Sequence, residues 1–313
     1  MTASENQTII NIGTRSSQLA LAQAKEVKQR LISAHGEDSI KVVIVEISTK
    51  GDRIQDRALS EIGGKGLFTE EIEQQLLAGD IDIAVHSTKD MPTLLPQGLE
   101  LSCFLPRESP ADVFVSNKAP NIEGLPQGAV IGSASLRRQA LIRRIRPDIK
   151  VITFRGNVQS RLRKLAEGQV DATLLAQAGL NRLNMQDIIT NILPIESFPP
   201  APGQGAICIE SRIDNQKIKT LLAPLNDTDT VIALRAERRF LAVLDGSCRT
   251  PLAGYAHLEN DQLHFHGMIL SPDGQNVFET SRTGSAEDGA EMGEDAAIQL
   301  RSQAGKAFFA DWS

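Results

Sequence analysis

An internal repeat constrains this chain more than any other feature. INIGTRSSQLA (residues 10–20) and VIGSASLRRQA (130–140) each read as a strand, a glycine, a Ser/Thr cluster and the start of a helix. LLAGDIDIAV (76–85) and LAEGQVDATL (165–174) share a helix end running into a strand. Self-similarity over such stretches implies two lobes of like construction. Short β-rich runs alternate with amphipathic helical segments through both halves of the repeat, which predicts an α/β class with largely parallel sheets.

After the repeat the pattern changes. GQGAICIES (203–211) reads as a strand, and IKTLLAPLN (218–226) and TVIALRAERRFLAVLDG (230–246) read as helices. PLAGYAHL, QLHFHGMIL and QNVFETSRTG then alternate as antiparallel strands do, with a turn at Pro272-Asp273-Gly274 and a closing helix, predicting a small α+β third domain. The charged, four-glycine segment 51–66 reads as a mobile loop, with a lid over a cleft as one hypothesis.

A chain of 313 residues has room for this arrangement. No apolar run approaches the ~20 residues of a membrane helix, and MTASENQTII lacks the basic and apolar pattern of a secretory signal, so a soluble cytoplasmic protein is expected. Three cysteines without close pairing fit a reducing compartment better than a disulfide framework. The net charge of −6 argues against a general nucleic-acid binder. Residues 131–165 nevertheless hold eight arginines and two lysines against one acid, Asp148, giving +9 there and leaving −15 for the rest. An anionic partner for this segment is the reading that follows.

Each lobe sets Ser/Thr and Arg at a strand-to-helix junction, where free backbone N–H groups and the helix dipole favour an anion. Thr14, Arg15, Ser16 and Ser17 stand there in the first lobe, and Ser133, Ser135, Arg137 and Arg138 in the second. Helix capping with solvated arginines is the alternative at either place, and two matching places favour binding. Arg155, Arg161 and Arg182 lie near the ends of further predicted elements, whereas Arg143, Arg144 and Arg146 are expected to face solvent. Guanidinium forks suit carboxylates. GGKG (63–66) lacks the flanking residues of a nucleotide-binding loop.

Cys103 and Cys208 sit in apolar runs and read as core residues. Cys248, in LDGSCRTPL beside Arg249, has the electropositive loop setting that favours a thiolate, so a reactive and an inert reading both stand. Asp90 follows a strand in HSTKDMP, at the carboxyl edge where open α/β sheets bind ligands, with a turn role as the alternative. His86 reads as structural, and His264 and His266 alternate on a predicted solvent face. No Cys/His set has zinc spacing, so no metal is expected.

IGTRSSQLAL, IGGKGLF, DIAVHSTKDMP, GSASLRRQ, FRGNVQSRL, APGQGA and DGSCRTP, in this order along the chain, resemble the porphobilinogen deaminase family. The resemblance implies an enzyme that joins four porphobilinogen units head to tail, releasing ammonia, to give the linear tetrapyrrole hydroxymethylbilane on the route to haem. It implies a dipyrromethane cofactor on Cys248 through a thioether. Asp90 matches the catalytic aspartate, which stabilises positive charge on pyrrole nitrogen as the azafulvene forms and assists proton transfer. Ser87, Lys89, Asp90, Ser135, Arg137, Arg138 and Arg155 match cofactor-binding positions. Arg15, Ser17, Lys65, Arg155, Arg161, Arg182 and Gln204 match positions for the substrate and growing chain. Glu61 stands where relatives commonly carry a lysine, and Ser247 where a glycine is frequent.

The implied fold has two lobes like those of a periplasmic binding protein, with mixed, mainly parallel sheets, and a small α+β domain with a three-stranded antiparallel sheet. The implied domains are 5–104 with 203–224, 105–202, and 225–313, in a monomer with no metal, nucleic-acid or membrane partner. A two-lobed carboxylate-sensing protein is the non-enzymatic alternative. Intact mass separates the two. The purified chain is expected to exceed its sequence mass by one dipyrromethane, and Cys248→Ser to match its sequence mass; an active chain at its bare sequence mass excludes the dipyrromethane on Cys248.

Overall fold

Ile10 and Ile12 alternate with Asn11 and Gly13 along β1 (Thr8–Arg15), which leads through Ser17 into α1 (Gln18–His35). The structure is a computed structural model describing residues 7–53, 68–244 and 251–310. The chain continues as β2 (Ile40–Ile47), α2 (Glu70–Ala78), β3 (Ile83–Ser87) and β4 (Leu99–Phe104). Next come β5 (Asp112–Ser116), β6 (Val130–Gly132), α3 (Leu136–Ile145), β7 (Lys150–Ile152), α4 (Val158–Ala166), β8 (Ala172–Ala176), α5 (Gln177–Arg182) and β9 (Asn191–Ile192). β10 (Ile207–Arg212), α6 (Gln216–Leu222) and α7 (Thr228–Val243) precede the strands β11 (Leu252–Glu259), β12 (Gln262–Leu270) and β13 (Val277–Ser285), and α8 (Gly289–Ala310) closes the chain. Of the segment expected to be a mobile loop, residues 54–66 lie outside the described residues.

The described residues divide into two compact units: 7–53, 68–107 and 206–231, and 108–205, 232–244 and 251–310. The first unit contains a sheet in the order β2-β1-β3-β10-β4. β1 runs parallel to β2 and β3, and β10 antiparallel to β3 and β4. Ile10, Ile12, Ile83, Val85, Ile207 and Ile209 meet Ala24, Val27 and Leu31 of α1 on one face. Ile47, Ala84 and Leu99 meet Ile72 and Leu76 of α2 on the other. Each large aliphatic so buried contributes roughly 1.5–3 kcal/mol. Coverage of both faces is why β3, at the centre of the sheet, is buried at every position from Ile83 to His86. A polar pair lies within this interior: His86 Nε2 is 3.3 Å from Glu210 Oε2, both buried, which matches the structural place expected for His86. Burial also raises the Glu73 carboxyl of α2 above its ordinary range.

The second unit repeats the plan in a sheet of order β7-β6-β8-β5-β9. β6 is parallel to β7 and β8, and β5 antiparallel to β8 and β9. Each sheet is therefore mixed, because the strand beyond the β1–β3 or β6–β8 pair runs in the opposite sense. Phe154, Leu165, Val170 and Leu180 cover one face with Val113 and Val115. On the other, Phe114, Ile131, Ala140 and Ile142 form a core joined by Ala253, Met268 and Leu270 of the third sheet.

That third sheet is antiparallel, in the order β11-β12-β13. Its opposite face packs Leu263, Phe265 and Ile269 against Phe240 of α7 and Leu300 of α8, with the Phe240 and Phe265 rings 5.1 Å apart. Asn260 and Asp261, both at positive φ, make the two-residue turn between β11 and β12. The expected turn at Pro272-Asp273-Gly274 closes with Gly274 N–H donating to Ser271 O at 2.8 Å.

Glycines at matching places in the two lobes allow a close approach. A Cβ on Gly13 would lie 2.3 Å from Ile81 Cδ1, and one on Gly132 2.5 Å from Phe154 Cγ. The Phe154 ring is buried and has little room to yield. Gly132→Ala is therefore expected to destabilise the chain by about 1–3 kcal/mol, read as a lower urea midpoint. Phe154→Leu in the same background should recover part of the loss; an unchanged midpoint in Gly132→Ala would contradict the packing described.

Candidate functional site

In the first lobe the candidate positions collect where β1 and β3 end. Thr14 is buried, its hydroxyl directed at the carbonyls of Ala20 (3.4 Å) and Val85 (3.5 Å). Arg15, the last residue of β1, places its guanidinium carbon 4.1 Å from the centroid of the Phe68 ring. Ser17 caps α1 by accepting from Ala20 N–H at 3.3 Å. Ser87 ends β3 and receives a hydrogen bond from Gln23 Nε2 of α1 at 2.9 Å.

Beyond Ser87 the chain makes a single turn, Thr88–Asp90. Thr88 N–H donates to Ala206 O (3.0 Å), and Met91 N–H closes the turn on Thr88 O (3.1 Å). Thr88 and Met91 are buried, so Lys89 and Asp90 are presented outward. Asp90 has no hydrogen-bond or ion-pair partner among the described residues. The structure thus brings Arg15, Ser17, Ser87, Lys89 and Asp90 to one edge of the first sheet, the carboxyl edge of its parallel strands.

The second lobe places its residues differently. Ser135 caps α3, accepting from Arg138 N–H at 3.4 Å, and its own N–H donates to Ser133 Oγ at 3.2 Å. Arg137 and Arg138 turn inward, 4% and 5% exposed, onto Asp112, which is wholly buried at the start of β5. Arg137 Nη2 donates to Asp112 Oδ2 (2.7 Å), and Arg138 donates to Oδ1 from Nε (3.2 Å) and Nη2 (2.6 Å). Gln204 Nε2 adds a bond to Oδ1 at 2.8 Å. The far ends of the guanidinium groups are held by backbone carbonyls, Arg137 Nη1 on Pro199 O (2.7 Å) and Arg138 Nη1 on Leu174 O (2.8 Å). Burial alone would raise the Asp112 carboxyl, but the two arginines and the hydrogen bonds from Arg138 and Gln204 hold it well below the usual carboxylate range. Two arginines against one aspartate leave one net positive charge, and Arg137 Nε is buried with no partner among the described residues.

Arg155, Arg161 and Arg182 are half-buried. Arg161 lies in the first turn of α4, capped by Asn157, while Arg182 Nη2 donates to Gly205 O at 3.0 Å. Arg182 and Arg137 therefore both engage the segment 199–205, whose Gln204 in turn reaches Asp112. Arg143 and Arg146 depart from the solvent-facing expectation: Arg143 Nη1 donates to Pro272 O at 2.6 Å, and Arg146 clasps Asp148 at 2.7 Å and three carbonyls of residues 122–125. Both fix loops, whereas Arg144 is exposed. Lys65 and Cys248, with Glu61 and Ser247, lie outside the described residues.

Sequence reasoning missed Asp112, Gln23 and Phe68. Asp112 did leave a signal, a carboxylate opening the otherwise apolar strand DVFV. Phe68 closes the quoted motif IGGKGLF, whereas Gln23 left no signal, since nothing local distinguishes a polar helix residue that reaches a neighbouring strand. His264 stacks on His257 at 5.2 Å between ring centroids, and no His/Cys/Asp/Glu group among the described residues is arranged to hold a metal. Cys103 and Cys208 are buried free thiols on β4 and β10, as expected of core residues. Burial, and then the neighbouring Cys208, push the Cys103 thiol up to about 12.

Residues 10–220 match the family described as "Porphobilinogen deaminase, dipyromethane cofactor binding domain", and residues 231–302 match "Porphobilinogen deaminase, C-terminal domain". A porphobilinogen deaminase of Nitrobacter hamburgensis is 55% identical over 305 residues, covering 97% of this chain and 96% of that one. Among solved structures, a periplasmic substrate-binding protein of an ABC transporter from Coxiella burnetii aligns with a TM-score of 0.45 at 13% identity, covering 69% of this chain and 91% of that one. The BvgS VFT2 domain of Bordetella pertussis aligns with a TM-score of 0.41 at 16% identity, covering 71% and 87%.

The buried thiols carry a prediction. Iodoacetamide should leave Cys103 and Cys208 unmodified in the native chain and label both in urea, as read by peptide mass. Because the native Cys103 keeps its proton up to about 12 while an unfolded thiol loses it near 8.5, stability should fall as pH rises through that window. Cys103→Ala should flatten that fall; a variant with the same slope would place the effect elsewhere.

Proposed function

The chain belongs to the porphobilinogen deaminase family, transferases with a dipyrromethane cofactor, and on that premise we propose the parts its residues take in joining four porphobilinogen units head to tail with release of ammonia. Asp90 is the catalytic residue. The observation that carries this assignment is its place at the carboxyl edge of the first sheet, exposed and without a partner among the described residues. A carboxylate left open in this way is available to face positive charge developing on a pyrrole nitrogen as ammonia departs, and to hold or pass on the proton involved. Its anchoring supports the role: the turn that carries it is fixed by Ala206 O and by the buried Thr88 and Met91, so the carboxylate is held without being neutralised.

Cys248 carries the cofactor through a thioether, an assignment that rests on its match to DGSCRTP. The attached dipyrromethane supplies the primer to which pyrrole units are added, and stays with the protein. Ser87, Lys89, Ser135, Arg137, Arg138 and Arg155 hold its acetate and propionate groups. The donor set suits that chemistry, since the Asp112–Arg137–Arg138 cluster keeps one positive charge and an Arg137 Nε without a partner among the described residues. Arg138 has its Nε, Nη1 and Nη2 all engaged within the lobe, so its part is charge and the fixed first turn of α3. Arg15, Ser17, Lys65, Arg155, Arg161, Arg182 and Gln204 hold carboxylates of the incoming substrate and lengthening chain.

The same reading takes residues 5–104 with 203–224, 105–202, and 225–313 as the domains. It takes the chain to act as a cytoplasmic monomer that needs no metal, nucleic acid or membrane. No helix among the described residues is long and apolar enough to cross a membrane, and the buried free thiols of Cys103 and Cys208 suit a reducing compartment. Asp90→Asn is expected to fold and to keep the dipyrromethane mass while turnover falls roughly 10²–10⁴-fold. Product formation followed by absorbance checks this, and turnover near that of the unaltered chain would remove Asp90 from the role.

A further inference from the structure

Asp112 lies in none of the motifs that point to the site, yet it holds three residues that do: Arg137, Arg138 and Gln204. We infer that Asp112 is a positioning residue for cofactor acquisition, its buried carboxylate fixing Arg137 and Arg138 in the arrangement that receives a pyrrole carboxylate. The inference rests on the carboxylate-binding reading of the two arginines given above.

The geometry is that of a complete acceptor. Oδ2 takes Arg137 Nη2, and Oδ1 takes Arg138 Nε and Nη2 together with Gln204 Nε2. Each guanidinium is held at a second point by Pro199 O or Leu174 O, so neither is free to rotate. The electrostatics require an anion here. Two guanidinium groups with exposures of 4% and 5% repel each other across a low-dielectric interior unless a counter-charge lies between them. One aspartate removes the repulsion and leaves a single positive charge, which one ligand carboxylate balances. A second internal carboxylate would cancel that attraction, and none would let the arginines swing apart.

Charge and packing make different demands on this position. Asparagine fills nearly the same volume, but it has one acceptor oxygen and turns an NH₂ donor towards groups that are themselves donors. Alanine removes the carboxylate and leaves room beside the guanidinium groups for a formate ion. If packing alone mattered, Asp112→Asn would behave as the unaltered chain and Asp112→Ala would not distinguish formate from chloride.

The test uses the full chain and reads cofactor loading by intact mass rather than turnover. Purified Asp112→Asn and Asp112→Ala, with folding checked by circular dichroism, are given porphobilinogen and the gain of one dipyrromethane is timed. Both should load about tenfold more slowly than the unaltered chain, the scale of loss expected when a supporting partner of a binding group is removed. Formate should speed loading of Asp112→Ala in proportion to its concentration, and chloride at equal ionic strength should not. If a variant does not fold, it is refolded in formate and in chloride: loading recovered in formate alone supports the inference, and no difference between the salts overturns it. Loading at the normal rate in folded variants also overturns it while leaving the proposed function standing. An unaltered chain that never gains the mass removes the proposed function itself.

Discussion

Two guanidinium groups buried side by side need an anion between them, and the second lobe depends on Asp112 to be that anion. The consequences spread from this contact. Arg137 and Arg138 belong to the first turn of α3, so fixing their side chains also fixes the helix start that Ser135 caps. Their outer nitrogens reach Pro199 O and Leu174 O, which ties β8 and the segment after β9 to the same helix. That segment is held again at Gly203, whose N–H donates to the buried Glu237 Oε2 of α7 at 2.6 Å, and at Gly205 by Arg182. Glu237 Oε1 also accepts from Ala256 N–H of β11 at 2.8 Å. Buried ion pairs of this kind are weak contributors to net stability because desolvation opposes them. What they secure is one arrangement of several backbone segments.

The first lobe uses the same residue type to the opposite end. Asp112 is enclosed, saturated with donors and held ionised far below the ordinary carboxylate range. Asp90 is exposed on a short turn whose backbone is pinned while its side chain is not. One carboxylate organises the protein, and the other is left open to a ligand. The difference lies in what surrounds them, since Asp112 opens β5 and Asp90 stands in the turn after β3, both of them interior strands of five-stranded sheets.

Much of this was legible in the sequence. The repeat of strand, glycine, Ser/Thr cluster and helix announced two lobes because a parallel pair with a crossover helix imposes that order of residue types. The glycines at Gly13 and Gly132 stand where the strands leave no room for a side chain. The third sheet announced itself through alternation at β12. Less legible were the partners of the arginines. A run rich in arginine indicates positive charge but not direction, and Arg137 and Arg138 differ from the exposed Arg144 only through the helix face they occupy and a carboxylate some 25 positions away. Arg143 and Arg146 were misread for the same reason, because loop carbonyls that accept a guanidinium leave no trace in composition.

The two sheets are completed from opposite directions along the chain. β5 precedes the parallel strands of its sheet, so the second lobe's five strands come from one continuous stretch. β10, which separates β3 from β4 in the first sheet, comes only after all of them. During synthesis from the N-terminus, the second lobe's strands are therefore all available while the first still has unpaired edges on β3 and β4. Those edges are the kind that invite pairing with other chains. The sheet that begins first is thus completed after the second, and its edges stay exposed until residue 212 leaves the ribosome.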